Sequence, residues 1–272
     1  MSNNQTIHFI AGLPRSGSTL LCNVLAQNPR FHTTTTSGVL EVLTAIRNGW
    51  EQVEGFKASP CRAAKKNVLG ACLRGFFEHV DEPVVFDKSR GWPSYIEMAE
   101  RILGRKAKLL VPVRDLRDVV ASFENIYRKH AAFDPLPQEK HSPVQWVTIE
   151  GRIQAWIAPG APVGNAYNRI KDALARGFRD RMHFVEFERF TKNPARVLGE
   201  IYDFLGEPVF EHDFDHVEQL VVEDDTGFGF PPESLHKIRP KITPMPPRWE
   251  GVIDDASARQ LAAHNKLWAD SH

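Results

Sequence analysis

The sequence predicts an α/β protein in which helices flank a parallel sheet, and three observations lead there. Short apolar runs alternate with longer amphipathic stretches, the pattern that βαβ crossovers leave in a sequence. The first run, Ile7-His8-Phe9-Ile10-Ala11, opens straight into Gly12-Leu13-Pro14-Arg15-Ser16-Gly17-Ser18-Thr19-Leu20, a strand followed by a glycine-bracketed turn and a helix. A later run, Lys108-Leu109-Leu110-Val111-Pro112-Val113, is bounded by charge, as suits a strand covered on both faces. The 272 residues, 42% hydrophobic and 25% charged, fit one globular domain spanning 1–272.

Local signals justify each element in turn. Strands are expected near 7–11, 83–87, 108–113 and 182–186. Helices are expected over 19–27, 39–50, roughly 63–79, 93–103, 116–130 and 194–205. Ser37 is placed to cap the second helix, and Asn193 with Pro194 forms a cap and first-turn pair for the last. Residues 131–143 hold three prolines and read as loop. The stretch 144–157 is helical in pattern and carries Trp146 and Trp156, read as core anchors ahead of parts of an acceptor site. Pro159-Gly160-Ala161-Pro162 breaks it before a further helix over 163–178. Residues 224–249 are loop-rich, with Gly227-Phe228-Gly229-Phe230-Pro231-Pro232 and the basic cluster Lys237-Ile238-Arg239-Pro240-Lys241.

The turn after the first strand carries chemistry. Backbone N–H groups of such a turn, with a helix N-terminus behind it, converge on one point and suit a phosphate. Gly12 and Gly17 stand at the spacing of the P-loop, G-x-x-x-x-G-K-[ST], but Ser18 takes the lysine's place. ATP and GTP enzymes set that lysine on the β- and γ-phosphates. Its loss points to a nucleotide with a different 5′ group.

A second motif gives the chain a family likeness. P-R-S-G-S-T at 14–19 and V-R-D-x-R-D-x-x-x-S at 113–122 together resemble the sulfotransferases that use 3′-phosphoadenosine 5′-phosphosulfate (PAPS). The resemblance implies the P-loop nucleotide-kinase-like sulfotransferase fold, with PAPS as co-substrate, PAP as product and no metal. It implies that Pro14, Arg15, Ser16, Gly17, Ser18 and Thr19 hold the 5′-phosphosulfate, and that Arg114 and Ser122 hold the 3′-phosphate. Just over two helical turns separate that pair, which keeps both on one side of a helix start. Val85-Phe86-Asp87-Lys88-Ser89 is similar to the family segment whose strand-end lysine approaches the sulfuryl group. The late basic cluster, Lys241 included, is similar to a segment that folds over the nucleotide. Residues 184–190, Asn193-Pro194 and 201–206 resemble the family's V-x-Y-E-x-L…P…I…F-L-G stretch. There Phe187 replaces a tyrosine near the adenine and reads as a strand residue. Order and distances lie nearer the tyrosylprotein and carbohydrate sulfotransferases than the cytosolic small-molecule ones.

What the resemblance implies chemically sets the remaining expectations. Charge grows on the oxygen bridging phosphorus and sulfur as that bond breaks, so a cation belongs there: Lys88, with Arg15. The acceptor hydroxyl must pass its proton to a carboxylate or histidine within hydrogen-bond reach. Where tyrosylprotein-type relatives carry a glutamate, this chain has Thr33-Thr34-Thr35-Thr36-Ser37. Where cytosolic relatives carry a histidine, two residues past the lysine, it has Arg90. Glu41 is the nearest carboxylate and the candidate base, with His32 and Asp87 behind it. The acceptor hydroxyl belongs to a carbohydrate, a peptide tyrosine or a small molecule. A P-loop kinase-like nucleotide binder, or a non-catalytic binder on the sulfotransferase fold, is the alternative reading.

Zero formal net charge gives no bulk attraction to nucleic acid. No apolar run approaches the ~18 residues of a membrane span, and a polar 1–6 leads directly into the first strand, so no targeting segment is expected. Three cysteines, Cys22, Cys61 and Cys72, make no disulfide framework and suggest a reducing, cytoplasmic setting.

Overall fold

A computed structural model of the chain describes residues 5–130, 143–222 and 236–269. Five strands form one parallel sheet: β1 (Thr6–Ile10), β2 (Phe31–Thr36), β3 (Val84–Lys88), β4 (Leu109–Val113) and β5 (Met182–Glu186). Their spatial order is β2-β3-β1-β4-β5. Twelve helices accompany them among the described residues. These are α1 (Ser18–Leu25), α2 (Val39–Gly49), α3 (Glu54–Ala58), α4 (Arg62–Phe76), α5 (Ile96–Leu103), α6 (Leu116–His130), α7 (Ile149–Ile157), α8 (Pro162–Ala175), α9 (Phe187–Lys192), α10 (Pro194–Leu205), α11 (Asp255–His264) and α12 (Lys266–Ala269).

Strand alternation builds two cores. Ile7, Phe9, Val85, Leu109, Val111 and Phe184 turn to one face, where α2, α4 to α8, α11 and α12 bury their apolar sides. Ile10, Phe86, Leu110 and Val185 turn to the other, against α1, α9 and α10. The α/β class with a helix-flanked parallel sheet is therefore as expected. Among the described residues no helix is long and apolar enough to cross a membrane.

The sequence places no strand at 31–36, yet β2 runs there beside β3. Four consecutive threonines lack the apolar run that marks a buried strand. Their β-branched side chains nonetheless favour one. Thr33 Oγ1 donates to the Cys22 carbonyl at 3.1 Å, and Thr34 Oγ1 accepts the Lys88 N–H at 2.8 Å where the β2–β3 register shifts. The helix expected over 144–157 is divided into a 3-10 turn, Pro143–Trp146, and α7, whose first turn is capped by Thr148. Trp146 and Trp156 are buried against each other, edge to face at 5.8 Å, as core anchors. Asn193 caps α10 by accepting the Arg196 N–H. Ser37 stands one residue before the N-cap Gly38 of α2, and its hydroxyl accepts the Val39 N–H at 3.1 Å. The loop expected over 131–143 falls outside the described residues up to 142. The Gly227–Pro232 motif lies wholly outside them.

Candidate active site

The strand order locates the site. From β1 the chain leaves toward β2 on one side of the sheet, and from β4 toward β5 on the other. The two exits diverge between β1 and β4, which opens a crevice at their carboxyl ends. Gly12 lets the turn after β1 lie directly on β4, because a Cβ there would stand 2.0 Å from the Pro112 carbonyl oxygen. The Leu13 N–H donates to that oxygen at 2.9 Å. Ser16 Oγ lies 2.9 Å from the same oxygen and 2.6 Å from the Leu13 carbonyl, which fixes the turn from inside. Arg15 and Gly17 both adopt left-handed backbone, with φ 59° and 83°. For an arginine that conformation is unfavourable and persists where surrounding structure enforces it. It turns the peptide groups of 15–17 and the first turn of α1 toward the crevice, a concave nest of N–H donors.

Three of the residues expected from sequence meet beside this turn. Arg15 Nε donates to Ser122 Oγ at 3.1 Å. Arg114, 7% exposed, follows β4 and pairs with Asp118 at 2.9 Å. Its guanidinium lies 4.5 Å over the Phe187 ring, and its Nε–H is buried without a hydrogen-bond partner among the described residues. Lys88 ends β3 and is 7% exposed, its main chain fixed by Thr34 and by the Ser37 N–H. Phe187 is not a strand residue, contrary to the sequence expectation. It opens α9 just past β5, and its ring packs so closely on Gly17 that a Cβ there would come within 2.6 Å.

A cavity of about 470 Å³ opens over the turn. The sheet side contributes Arg15, Lys88, Arg90 and Arg114. The returning segment contributes Lys237, Arg239, Lys241 and Arg248. No Asp or Glu lines it among the described residues. Ile242 anchors the returning segment by donating its N–H to the Phe214 carbonyl at 2.9 Å. Asp118 anchors it further on: Oδ2 holds Arg114 while Oδ1 accepts the Arg248 and Trp249 N–H groups at 2.7 and 3.2 Å. Burial and then the guanidiniums of Arg114 and Arg239 push the Arg248 pKa down. Such crowding of cations is relieved by an anion. Lys241 reaches the cavity from its edge, where it also pairs with Asp215 at 2.6 Å.

The candidate bases are spread out. Glu41 is exposed in the first turn of α2 and is not among the residues lining this cavity. His32 stands near the start of β2, 3.9 Å from Glu82, toward the opposite end of the sheet. Asp87 is fully buried and accepts the Trp92 indole N–H at 2.6 Å. Burial pushes its carboxyl up to about 6, against hydrogen bonds from Ser37 and Trp92, with Glu41 adding repulsion. The folded value lies above the unfolded one. The stabilisation therefore belongs to the protonated acid: it is complete below about pH 4 and lost as pH rises through about 6. Asp87→Asn, neutral at every pH, is expected to be more stable than the natural chain at pH 7.5 by up to roughly 3 kcal/mol. The gap should close near pH 4. Urea melts at the two pH values check this, and a gap independent of pH would contradict it.

Sequence reading missed His236, Arg248 and the anchoring role of Asp118. Only the last had a local signal, the second aspartate of R-D-x-R-D. The other two reach the cavity by long-range return of the chain.

The fold and this crevice define an α/β protein with a cation-lined cavity over a glycine-bracketed turn. The chain belongs to the sulfotransferase family, whose model matches residues 8–212. Among solved structures it resembles the sulfotransferase domain of the Synechococcus PCC 7002 olefin synthase, at 20% identity and TM-score 0.55, over 98% of this chain and 96% of that one. The sulfotransferase domain from the curacin biosynthetic pathway gives 17% identity and TM-score 0.55, over 96% and 98%. Retinol dehydratase, solved with androsterone and inactive cofactor PAP, gives 13% and 0.52, over 99% and 82%. A search of curated protein sequences gave no match.

Proposed function

We propose that this protein transfers the sulfuryl group of PAPS to an acceptor hydroxyl. The observation that carries the reading is the convergence of Arg114, Arg239 and Arg248 beside Arg15 and Ser122, on a turn that lacks the kinase lysine. PAPS is anionic at both ends, and the crevice has a cationic cluster for each. Arg15 and the N–H groups of 16–19 would hold the 5′-phosphosulfate. Arg114 and Ser122, with the returning guanidiniums, would hold the 3′-phosphate. The residues present fit such a ligand: Arg15 and Gly17 hold the left-handed backbone of an anion nest, and the orphaned Nε–H of Arg114 is a donor in reserve. Retinol dehydratase, a structural relative, carries PAP. The tyrosylprotein or carbohydrate type, with an acceptor of carbohydrate, peptide-tyrosine or small-molecule kind, belongs to the same reading through segment order. So does a cytoplasmic setting, since Cys22, Cys61 and Cys72 are all free thiols.

Chemically, Lys88 would neutralise the charge that develops on the bridging oxygen as sulfur departs. A preorganised donor of this kind is worth roughly 3–4 kcal/mol. Phe187 would close one wall against Gly17 and keep water from the turn.

Thermal shift tests the nucleotide. PAP at a hundred times its Kd should add about 2.7 kcal/mol to stability, with ATP at the same concentration adding far less. Equal stabilisation by the two would favour a kinase-like binder instead.

A further inference from the structure

We infer that His236 takes the proton from the attacking hydroxyl. The inference rests on the sulfotransfer reading and adds to it the group that activates the acceptor. In the transfer, the acceptor oxygen bonds to sulfur and its O–H bond breaks. The bridging S–O bond breaks as well, and its electron pair leaves on the 5′-phosphate of PAP. One proton is released and needs a base in the cavity.

The cavity wall offers few. Its eight lysine and arginine side chains present N–H donors and no acceptor. No carboxylate lines it among the described residues. Its serine and threonine hydroxyls are themselves weak acids. Among the described residues, His236 is the one lining side chain that ordinarily gains and loses a proton between pH 5 and 8. The groups suggested by sequence position are elsewhere: Glu41 on the exposed side of α2, Asp87 sealed beneath Trp92, and His32 toward the far end of the sheet.

His236 is also held in place. Gln219 donates its Nε2–H to the His236 carbonyl at 3.1 Å, and its Oε1 accepts the Ile238 N–H at 3.3 Å. One side chain thus clamps the main chain at both residues, and His236 itself is half-buried at the cavity rim. The imidazole receives the hydroxyl proton as the O–S bond forms, becomes imidazolium, and passes the proton to solvent once PAP and the sulfate ester have left.

The test compares His236→Gln with Glu41→Gln in the full chain, using PAPS and a phenol acceptor from pH 5.5 to 9. Calorimetry with PAP and ring-proton NMR of His236 accompany the kinetics. His236→Gln should lower kcat by about 10²-fold, leave PAP affinity unchanged and abolish the fall in rate toward acid pH. Added imidazole should restore part of the rate. Glu41→Gln should stay near normal, and acceptor added to the PAP complex should shift the His236 resonances. Near-normal turnover of His236→Gln in a chain that binds PAP would overturn the inference alone. Failure of the natural chain to bind PAP would overturn the sulfotransfer reading and this inference with it.

Discussion

Lys88→Ala is expected to lower turnover by about 10²–10³-fold while changing PAP affinity only a few-fold. Charge on the bridging oxygen is small in bound PAPS and large in the transition state. A cation there acts on kcat more than on ground-state binding. An Asp–Lys surface pair at 87–88 would be a competing account, and the structure removes it. Both residues are buried, they alternate across β3, and Asp87 is engaged by the Trp92 indole. The position should also tolerate truncation. What fixes β3 at residue 88 is main chain: its N–H goes to Thr34 Oγ1 and its carbonyl accepts the Ser37 N–H. Neither bond depends on the ammonium group, so the variant should fold. Single-turnover kinetics with PAPS, set beside PAP calorimetry, separate the two quantities. Unchanged turnover, or losses of kcat and PAP affinity in step, would remove Lys88 from the chemistry.

Much of this site is legible in the sequence because its first half is local. Gly12, Arg15 and Gly17 act within one turn, and their spacing records the close approach to Pro112 and the left-handed backbone that the turn requires. Lys88 and Arg114 stand at ends of strands that buried apolar runs announce. β2 escapes because its threonines carry strand propensity without the apolar pattern. Phe187 is misread by a single residue: the apolar run of β5 continues into α9, and periodicity over so short a run does not mark where a strand becomes a helix. The second half of the site is non-local. His236, Arg239 and Arg248 line the cavity because Ile242 docks on the α1–α10 core and Asp118 grips main-chain N–H groups 130 and 131 residues away. Short-range patterns hold no record of such a return.

Arg114 tests that long-range half. Loss of its fork should weaken PAP by roughly 10–100-fold, the equivalent of a charge-assisted contact of about 1.5–3 kcal/mol. Adenosine 5′-phosphosulfate, which has no 3′-phosphate, should be nearly unaffected. Arg114→Ala alone is a poor probe. It would strand the buried carboxylate of Asp118, and an uncompensated buried charge costs about 3–5 kcal/mol. The same carboxylate carries Arg248 and Trp249, so the alanine variant would also slacken the returning segment. Arg114→Lys avoids both effects. An ammonium keeps a positive partner for Asp118, yet it lacks the planar fork that can hold Asp118 and a phosphate at once. The lysine variant should therefore melt close to the natural chain, retain affinity for the 5′-phosphosulfate nucleotide and lose it for PAP. If both nucleotides weaken equally in a folded Arg114→Lys protein, Arg114 only pins the junction of β4 and α6. The 3′-phosphate would then have to be held by Arg239 and Arg248 without it.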